Sequence, residues 1–197
     1  FTVQNGQANG TTELFGGAIV MVNSSSPIIR NCIFLNNIAQ QHGGAIHVSG
    51  GAPKFENCEF KNNHTNLYDG GAMYVNGATS TTIVNCLFNG NIAARHGGTM
   101  VLINTTTSNV WNCTFVNNQR GSGGIGGAIL LSATVGSPIL KIDNCIFYNN
   151  LPSNNGTVNL NAGSYSVKNS YSNVGTLCFT NNSGLTNIVS GTPHFTD

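Results

Sequence analysis

GGAIHVSGGAPKFENCEFKNN, residues 43–63, is the stretch that decides the fold. It starts with a Gly-Gly pair, continues with apolar residues at alternate positions, and ends with Asn-Cys-x-Phe and a further Asn. Gly-Gly pairs start at positions 16, 43, 70, 97 and 126, so the successive segments are 27, 27, 27 and 29 residues long. Self-similarity at a period of about 20 to 50 residues is typical of solenoids, in which each repeat stacks on its neighbours.

Three features of the repeat favour short strands over helices. Apolar residues alternate with period 2, as at Ile46 and Val48, the apolar runs are short, and Gly and Asn interrupt them. One such unit cannot bury its apolar face alone, so neighbouring units must stack about 4.8 Å apart. We therefore predict an all-β fold, a right-handed parallel β-helix of about seven coils. It forms a single domain over 1–197, with regular repeats at 16–155 and degenerate coils at 156–197.

Strict alternation assigns each strand side chain either to the core or to the outer surface. Three inward columns follow from it: Ile19, Ile46, Met73, Met100 and Ile129; Met21, Val48, Val75, Leu102 and Leu131; and Ile29, Phe55, Ile83, Val110 and Ile142. Because stacking places like residues above like residues, these columns predict a continuous apolar core.

The Asn-Cys-x-Phe motif predicts three structural ladders. They are Asn31, Asn57, Asn85, Asn112 and Asn144; Cys32, Cys58, Cys86, Cys113 and Cys145; and Phe34, Phe60, Phe88, Phe115 and Phe147. Asn tolerates the left-handed conformation that a bend needs, and it can hydrogen-bond along a stack of its own kind. The Cys and Phe columns should point inward, with the cysteines as buried free thiols because parallel side-chain directions disfavour disulfides. Cys178 lies apart from the Cys column.

Charged residues are scarce, since 7 Lys and Arg and 6 Asp and Glu make up only 7% of the chain. About 25% is ordinary for a soluble domain. The basic footprint of a nucleic-acid-binding protein is missing, and so is any run of 18 or more apolar residues, so we expect no nucleic acid partner and no membrane insertion. The first residues lack the basic start and apolar stretch of a signal peptide, so we expect any export signal to have been removed.

The repeats resemble those of the chlamydial polymorphic outer-membrane proteins and related bacterial surface proteins, which carry Gly-Gly-Ala-Ile and Phe-x-x-Asn. The two motifs occur together here at 43–46 with Phe60 and Asn63, and at 126–129 with Phe147 and Asn150. The likeness covers roughly residues 1–155, and the fourth repeat departs from it with Thr-Met in place of Ala-Ile. The resemblance implies a parallel β-helix, secretion, and adhesion or surface display.

Parallel β-helices are also similar to polysaccharide lyases and hydrolases, whose sites need paired carboxylates or acids that hold Ca²⁺ beside a basic residue. Glu56 and Asp143 share an outward column but lie three coils apart, on the order of 14 Å. That exceeds the roughly 5 to 9.5 Å of glycosidase pairs. Glu59 lies near Glu56, yet Arg30 in the neighbouring coil favours a surface charge pair. We therefore predict no catalytic centre and no cofactor.

Three residues that precede successive Gly-Gly pairs, His42, Asp69 and His96, are candidate metal ligands, with His47 close by. Adjacent His and Asp side chains could share a cation. The two outer histidines, however, are about 10 Å apart, which is too far for one ion. Polar turn residues are the simpler interpretation, and we predict no metal site.

The outward positions of the strands that follow each Gly-Gly pair are mostly apolar. They are Val20, His47, Tyr74, Val101 and Leu130, beside Ala18, Ala45, Ala72, Thr99 and Ala128. Exposed contiguous apolar area commonly marks an interaction site, so we predict one here. The only tryptophan, Trp111, faces outward just before Asn112 and could stack on a sugar, anchor a contact, or lie under a neighbouring loop.

These observations predict a non-catalytic, extracellular structural or adhesive β-solenoid that is secreted or displayed on a cell surface. Neither end shows a strong cap, so we expect self-association, end to end or by lateral stacking, into a homo-oligomeric fibre, or a segment of a larger adhesin. A host protein or a glycan is the expected further partner. The alternative is a carbohydrate-active or carbohydrate-binding β-helix, which acids clustered on one outward wall would favour.

Overall fold

The computed structural model describes residues 1–152, 157–160 and 163–172, together with the backbone of two short strands at 185–186 and 189–190. Over these residues the chain is a right-handed parallel β-solenoid without helices, as predicted. The described residues form about six turns, whereas about seven were predicted for the whole chain. Among the described residues, none forms a helix of the length and hydropathy that a membrane crossing needs.

The described strands belong to four parallel sheets, and each regular turn contributes one strand to each sheet. The sheet that follows the Gly-Gly pairs, here the Gly sheet, contains β3 Ile19–Met21, β7 Ile46–Ser49, β11 Met73–Asn76, β15 Met100–Ile103, β19 Ile129–Ser132 and β22 Val158–Leu160. The Trp sheet contains β4 Ile28–Arg30, β8 Lys54–Glu56, β12 Ser80–Val84, β16 Thr107–Trp111, β20 Ile139–Asp143, β23 Ser164–Lys168 and β25 Leu185–Thr186. The Phe sheet contains β1 Thr2–Gln4, β5 Ile33–Leu35, β9 Glu59–Lys61, β13 Leu87–Asn89, β17 Thr114–Val116, β21 Ile146–Tyr148, β24 Tyr171–Ser172 and β26 Val189–Ser190. The short sheet contains β2 Gln7–Ala8, β6 Ile38–Ala39, β10 His64–Thr65, β14 Ile92–Ala93 and β18 Gln119–Arg120.

The predicted inward columns form the core. Their side chains are buried, except that Ile19 and Ile29 in the first turns are half-buried. The Phe column is fully buried, and its neighbouring rings stack with centroids 4.7 to 4.8 Å apart and planes within 10° of parallel. Parallel in-register strands impose this spacing, so each ring packs on the equivalent ring of the next turn.

The Asn ladder predicted at the bend is present, but it lies on the surface. Its five side chains are exposed, and the residues adopt the left-handed conformation with φ between 51° and 54°. Asn85 Nδ2 donates to Asn57 Oδ1 at 3.2 Å, and Asn144 Nδ2 donates to Asn112 Oδ1 at 2.9 Å. This ladder turns the corner between the Trp sheet and the Phe sheet.

A second Asn ladder, inside the solenoid, lies at the corner between the Phe sheet and the short sheet. Its members are fully buried: Asn37, Asn63, Asn91, Asn118 and Asn150. Asn91 Oδ1 accepts from both the backbone N–H and the side-chain amide of Asn63, at 3.0 and 2.9 Å. The Nδ2 of Asn91 in turn donates to Phe60 O and Asn118 Oδ1, both at 2.9 Å. Asn91 therefore hydrogen-bonds to the turns on both sides of it, as do Asn37, Asn63 and Asn118.

The five cysteines of the predicted column are free thiols, as expected. Four of them are buried, and Cys32 is half-buried. Each thiol donates to a backbone carbonyl; Cys113 Sγ, for example, donates to Trp111 O at 3.1 Å. The column therefore packs as part of the core. Cys178 lies outside the described residues.

Candidate functional site

Trp111 ends strand β16 on the outer face of the Trp sheet. The preceding residue, Val110, points inward and is buried, so the alternation turns the Trp111 indole outward, where it is 39% exposed. The register places Trp111 between Val84 in one neighbouring turn and Asp143 in the other. The corner residue Asn112 follows at once, so the indole stands at the edge where the sheet ends.

One cleft beside Trp111 has a volume of about 530 Å³. It is lined by Trp111, Asn112, Asp143, Asn144 and Asn169. Two hydrogen bonds fix its polar groups: Asn144 Nδ2 donates to Asn112 Oδ1 at 2.9 Å, and Asn169 Nδ2 donates to Asp143 Oδ1 at 3.0 Å. The cleft thus combines an apolar ring with oriented amide and carboxylate groups, and we call it the amide cleft.

A second cleft of about 220 Å³ lies on the sheet face beside the same indole. It is lined by Trp111, Lys141, Ile142, Asp143, Ser166 and Lys168. The in-register pairs Lys141 with Ser166 and Asp143 with Lys168 bring these side chains from β20 and β23 to one surface. We call it the lysine cleft. Trp111 and Asp143 line both clefts.

Other carboxylates considered from the sequence are held in ion pairs. Glu56 contacts both Arg30 and Lys54, and hydrogen bonds from Lys54 and then from Arg30 hold the pKa of Glu56 below its ordinary value. Glu59 pairs with Lys61. The register confirms that Glu56 and Asp143 lie three turns apart in one column. The structure thus keeps these carboxylates apart or paired with cations.

The structure brings the suggested metal ligands into a network of ion pairs and hydrogen bonds. Asp69 is buried and accepts from Arg95 Nε and Nη2 at 2.9 and 2.8 Å, and His42 Nδ1 lies 3.6 Å from its Oδ2. His96 donates its backbone N–H to Asp69 at 3.2 Å, while its Nδ1 accepts from Ile125 N at 3.0 Å. Within the described ranges, no group of three or more His, Cys, Asp or Glu could hold a metal ion.

The predicted apolar wall on the Gly sheet is largely covered. Val20 is 49% exposed, but His47 and Tyr74 are half-buried and Val101 and Leu130 are buried. The small neighbours predicted to face outward are buried as well, apart from the half-buried Ala18: Ala45, Ala72, Thr99 and Ala128. The expectation of a flat, exposed apolar surface was therefore wrong.

Two of the segments that precede the Gly-Gly pairs place a ring over the outer face of the Gly sheet. The Phe15 ring lies 4.8 Å from the His47 ring, and the His42 ring lies 4.3 Å from the Tyr74 ring. Gly97 lies so close to Val101 that a Cβ at position 97 would come within 2.7 Å of its side chain. The cover of rings over His47 and Tyr74 is called the aromatic cover below.

The aromatic cover makes stability depend on pH through His47. Burial, and next the nearby His42, lower the pKa of His47 from 6.5 to about 4. In the unfolded chain, His47 is therefore protonated below about pH 6.5. In the folded chain it stays neutral until the pH falls to about 4. The free energy of unfolding should fall as the pH drops through this window, by about 1 to 2 kcal/mol once solvent screening of the half-buried ring is included.

The variant His47→Phe tests this effect. It keeps a ring against Phe15 and Tyr74 but cannot be protonated, so its stability should fall less than that of the wild type between about pH 6.5 and 4. Urea unfolding at three pH values across the window measures the difference. Equal losses in the two proteins would show that the cover does not hold His47 neutral.

Comparison with known proteins agrees with the fold. The family described as a right handed beta helix region matches residues 12–196, which is most of the chain. Neither the search of curated proteins nor the search of solved structures gave a match. The match supports a parallel β-helix repeat family, and the finer likeness to the chlamydial repeats has no such support. The chain therefore belongs to the right-handed β-helix family.

Proposed function

We propose that this chain is a non-catalytic, extracellular adhesive β-solenoid that binds glycan through the two clefts beside Trp111. The observation that carries the proposal is an exposed indole flanked by oriented amide and carboxylate groups on a rigid sheet. Because the strands below are stacked in register, these groups hold their positions before a ligand arrives. Such preorganisation lowers the cost of binding.

The chemistry of the amide cleft suits a sugar ring. The C–H face of a pyranose is apolar and can lie on the indole, while its hydroxyls need both donors and acceptors at the ring edge. Asn112 and Asn144 offer amide donors and acceptors, and Asp143 offers carboxylate acceptors. A purely apolar ligand would leave these polar groups desolvated without partners, which is costly.

Replacing Trp111 with Ala should weaken glycan binding at least tenfold, equivalent to about 1.4 kcal/mol. The wild type offers a direct readout, because Trp111 is the only tryptophan and its fluorescence reports on the clefts. A glycan array identifies bound oligosaccharides, and calorimetry compares the variant with the wild type. Tyr148→Ala, which removes an equally exposed ring from the Phe sheet, is the matched control and should bind normally. Unchanged binding by Trp111→Ala would refute the proposed site.

Self-association is a second part of the proposed role. Its support is the low charge of the chain together with exposed apolar side chains in one turn, with Val20 49% and Ile28 55% exposed. Val101 and Leu130 are buried, so they are not available for a lateral contact. Electron microscopy of the native material should show ordered fibres, and dispersed particles would count against assembly.

A further inference from the structure

Six of the seven Lys and Arg residues of this charge-poor chain fall into two groups, and the seventh, Arg120, is buried and donates to Gly121 O at 2.9 Å. Four of them contact carboxylates: Arg30 and Lys54 contact Glu56, Lys61 contacts Glu59, and Arg95 contacts Asp69. Lys141 and Lys168, by contrast, have no carboxylate within ion-pair distance among the described residues. Both are exposed, and both line the lysine cleft.

The two lysines and Asp143 leave the lysine cleft with a net positive charge. Two ammonium groups and one carboxylate line this cleft of about 220 Å³, which gives a formal charge of +1. Asp143 already accepts a hydrogen bond from Asn169, so part of its acceptor capacity is used on the side of the amide cleft. The remaining cationic surface suits an anionic group.

We propose that the lysine cleft binds the anionic group of an acidic glycan, a uronate carboxylate or a sulfate ester, while the neighbouring sugar occupies the amide cleft. This inference rests on the proposed glycan binding at Trp111, and it specifies that the glycan is acidic. The shared Trp111 and Asp143 join the two clefts into one site for at least two adjacent sugars. Lys141 and Lys168 supply the charge, and Ser166 supplies a hydroxyl beside them.

An acidic glycan fits these observations better than an acidic peptide. The indole of Trp111 offers a flat ring for stacking and the amide cleft offers partners for hydroxyl groups, and a sugar ring can use both. A peptide would instead seek an unpaired strand edge, whereas β16, β20 and β23 all have strands hydrogen-bonded on both sides.

Tryptophan fluorescence titration of the full chain tests the inference with matched ligands. The probes are oligosaccharides of glucuronic acid and N-acetylglucosamine, the same compounds with carboxyls reduced to alcohols, sulfated oligosaccharides with their desulfated partners, and a glutamate-rich peptide. We expect a uronate or a sulfated probe to bind at least fivefold more tightly than its neutral partner. That preference should shrink as salt rises, because exposed charges are screened.

The double variant Lys141→Gln/Lys168→Gln should lose this preference while it still binds the neutral partner. The matched control is Lys54→Gln/Lys61→Gln, which removes two lysines that are already paired and should keep the preference. Equal binding of acidic and neutral probes, an equal loss in the control, or tighter binding of the glutamate-rich peptide would each overturn the acidic-glycan assignment. A failure of every oligosaccharide to change the fluorescence would instead refute glycan binding itself, so the two proposals fail separately.

Discussion

Replacing Gly71 with Ala is expected to prevent formation of the native solenoid. A Cβ at this position would come within 2.3 Å of Gly98 O and 2.6 Å of Ile92 C, distances that real side chains do not adopt. Both obstacles are backbone atoms of the next turn, so relief requires separating two stacked turns and breaking hydrogen bonds between them. We expect a loss of at least about 4 kcal/mol, a large part of the roughly 5 to 15 kcal/mol that stabilises an ordinary domain.

The chain carries its own matched control at the equivalent position of a later turn. Among the described residues, the nearest contact that an added Cβ at Gly127 would make is Asn150 O at 3.3 Å, which a small shift relieves. Gly127→Ala should therefore cost less than about 1 kcal/mol. Circular dichroism and urea unfolding compare the two variants. Similar midpoints would show that close approach of the turns does not explain the Gly-Gly pairs.

The two glycines of a pair are required for different reasons, one for its backbone conformation and one for the space beside it. The sequence alone did not distinguish these reasons. Gly70 has φ of +71°, a left-handed conformation, whereas Gly71 is required for the space that the next turn occupies. The repeat length and the alternation around Ile46 and Val48 were enough to predict the parallel stack and its core. Those signals are local, and every turn repeats them.

The buried Asn ladder was not predicted, although Asn63 follows Phe60 at the same distance in each regular turn. Inward and outward side chains do not alternate through this corner, because Asn62 adopts a left-handed conformation with φ of 53°. Asn57 and Asn63 are the same residue type, so the sequence cannot say which is buried. The prediction of an exposed wall was wrong for a related reason, since alternation along a strand does not show that the turn residue His42 lies over Tyr74.

The clefts beside Trp111 could be predicted only in part. An outward tryptophan followed from the alternation, and stacking on a sugar was one of its expected roles. The other walls come from Lys168 and Asn169, in a turn where Cys and Phe no longer mark the register. Without that register, the sequence could not place Lys168 beside Asp143.

Removal of the Asn91 side chain is expected to destabilise the fold by about 4 kcal/mol. In the native state its Oδ1 accepts two hydrogen bonds from Asn63, and its Nδ2 donates to Phe60 O and Asn118 Oδ1. Asn91→Ala leaves the donors of Asn63 and the acceptors on both sides without these partners, in a site that water does not reach. Each buried polar group left unsatisfied costs roughly 1 to 3 kcal/mol.

Asn91→Asp keeps the shape of the side chain and tests whether the donors matter. A carboxylate can still accept from Asn63, but it would face Phe60 O and Asn118 Oδ1 without a hydrogen to donate. At neutral pH we therefore expect a loss at least as large as that of Asn91→Ala, since a buried charge is added to the missing bonds. Partial recovery at acidic pH is expected, because a protonated carboxyl can donate once.

A variant in the exposed Asn ladder shows whether burial accounts for the losses of stability expected at Asn91. Asn85→Gly removes a surface hydrogen bond to Asn57 at a position with φ of 52°, which glycine adopts without strain. We expect a loss below about 1 kcal/mol, since water replaces the missing partner. Urea unfolding of the three variants beside the wild type measures all the differences. A loss for Asn85→Gly as large as that for Asn91→Ala would mean that hydrogen bonding along either stack, and not burial, determines the contribution of asparagine to this fold.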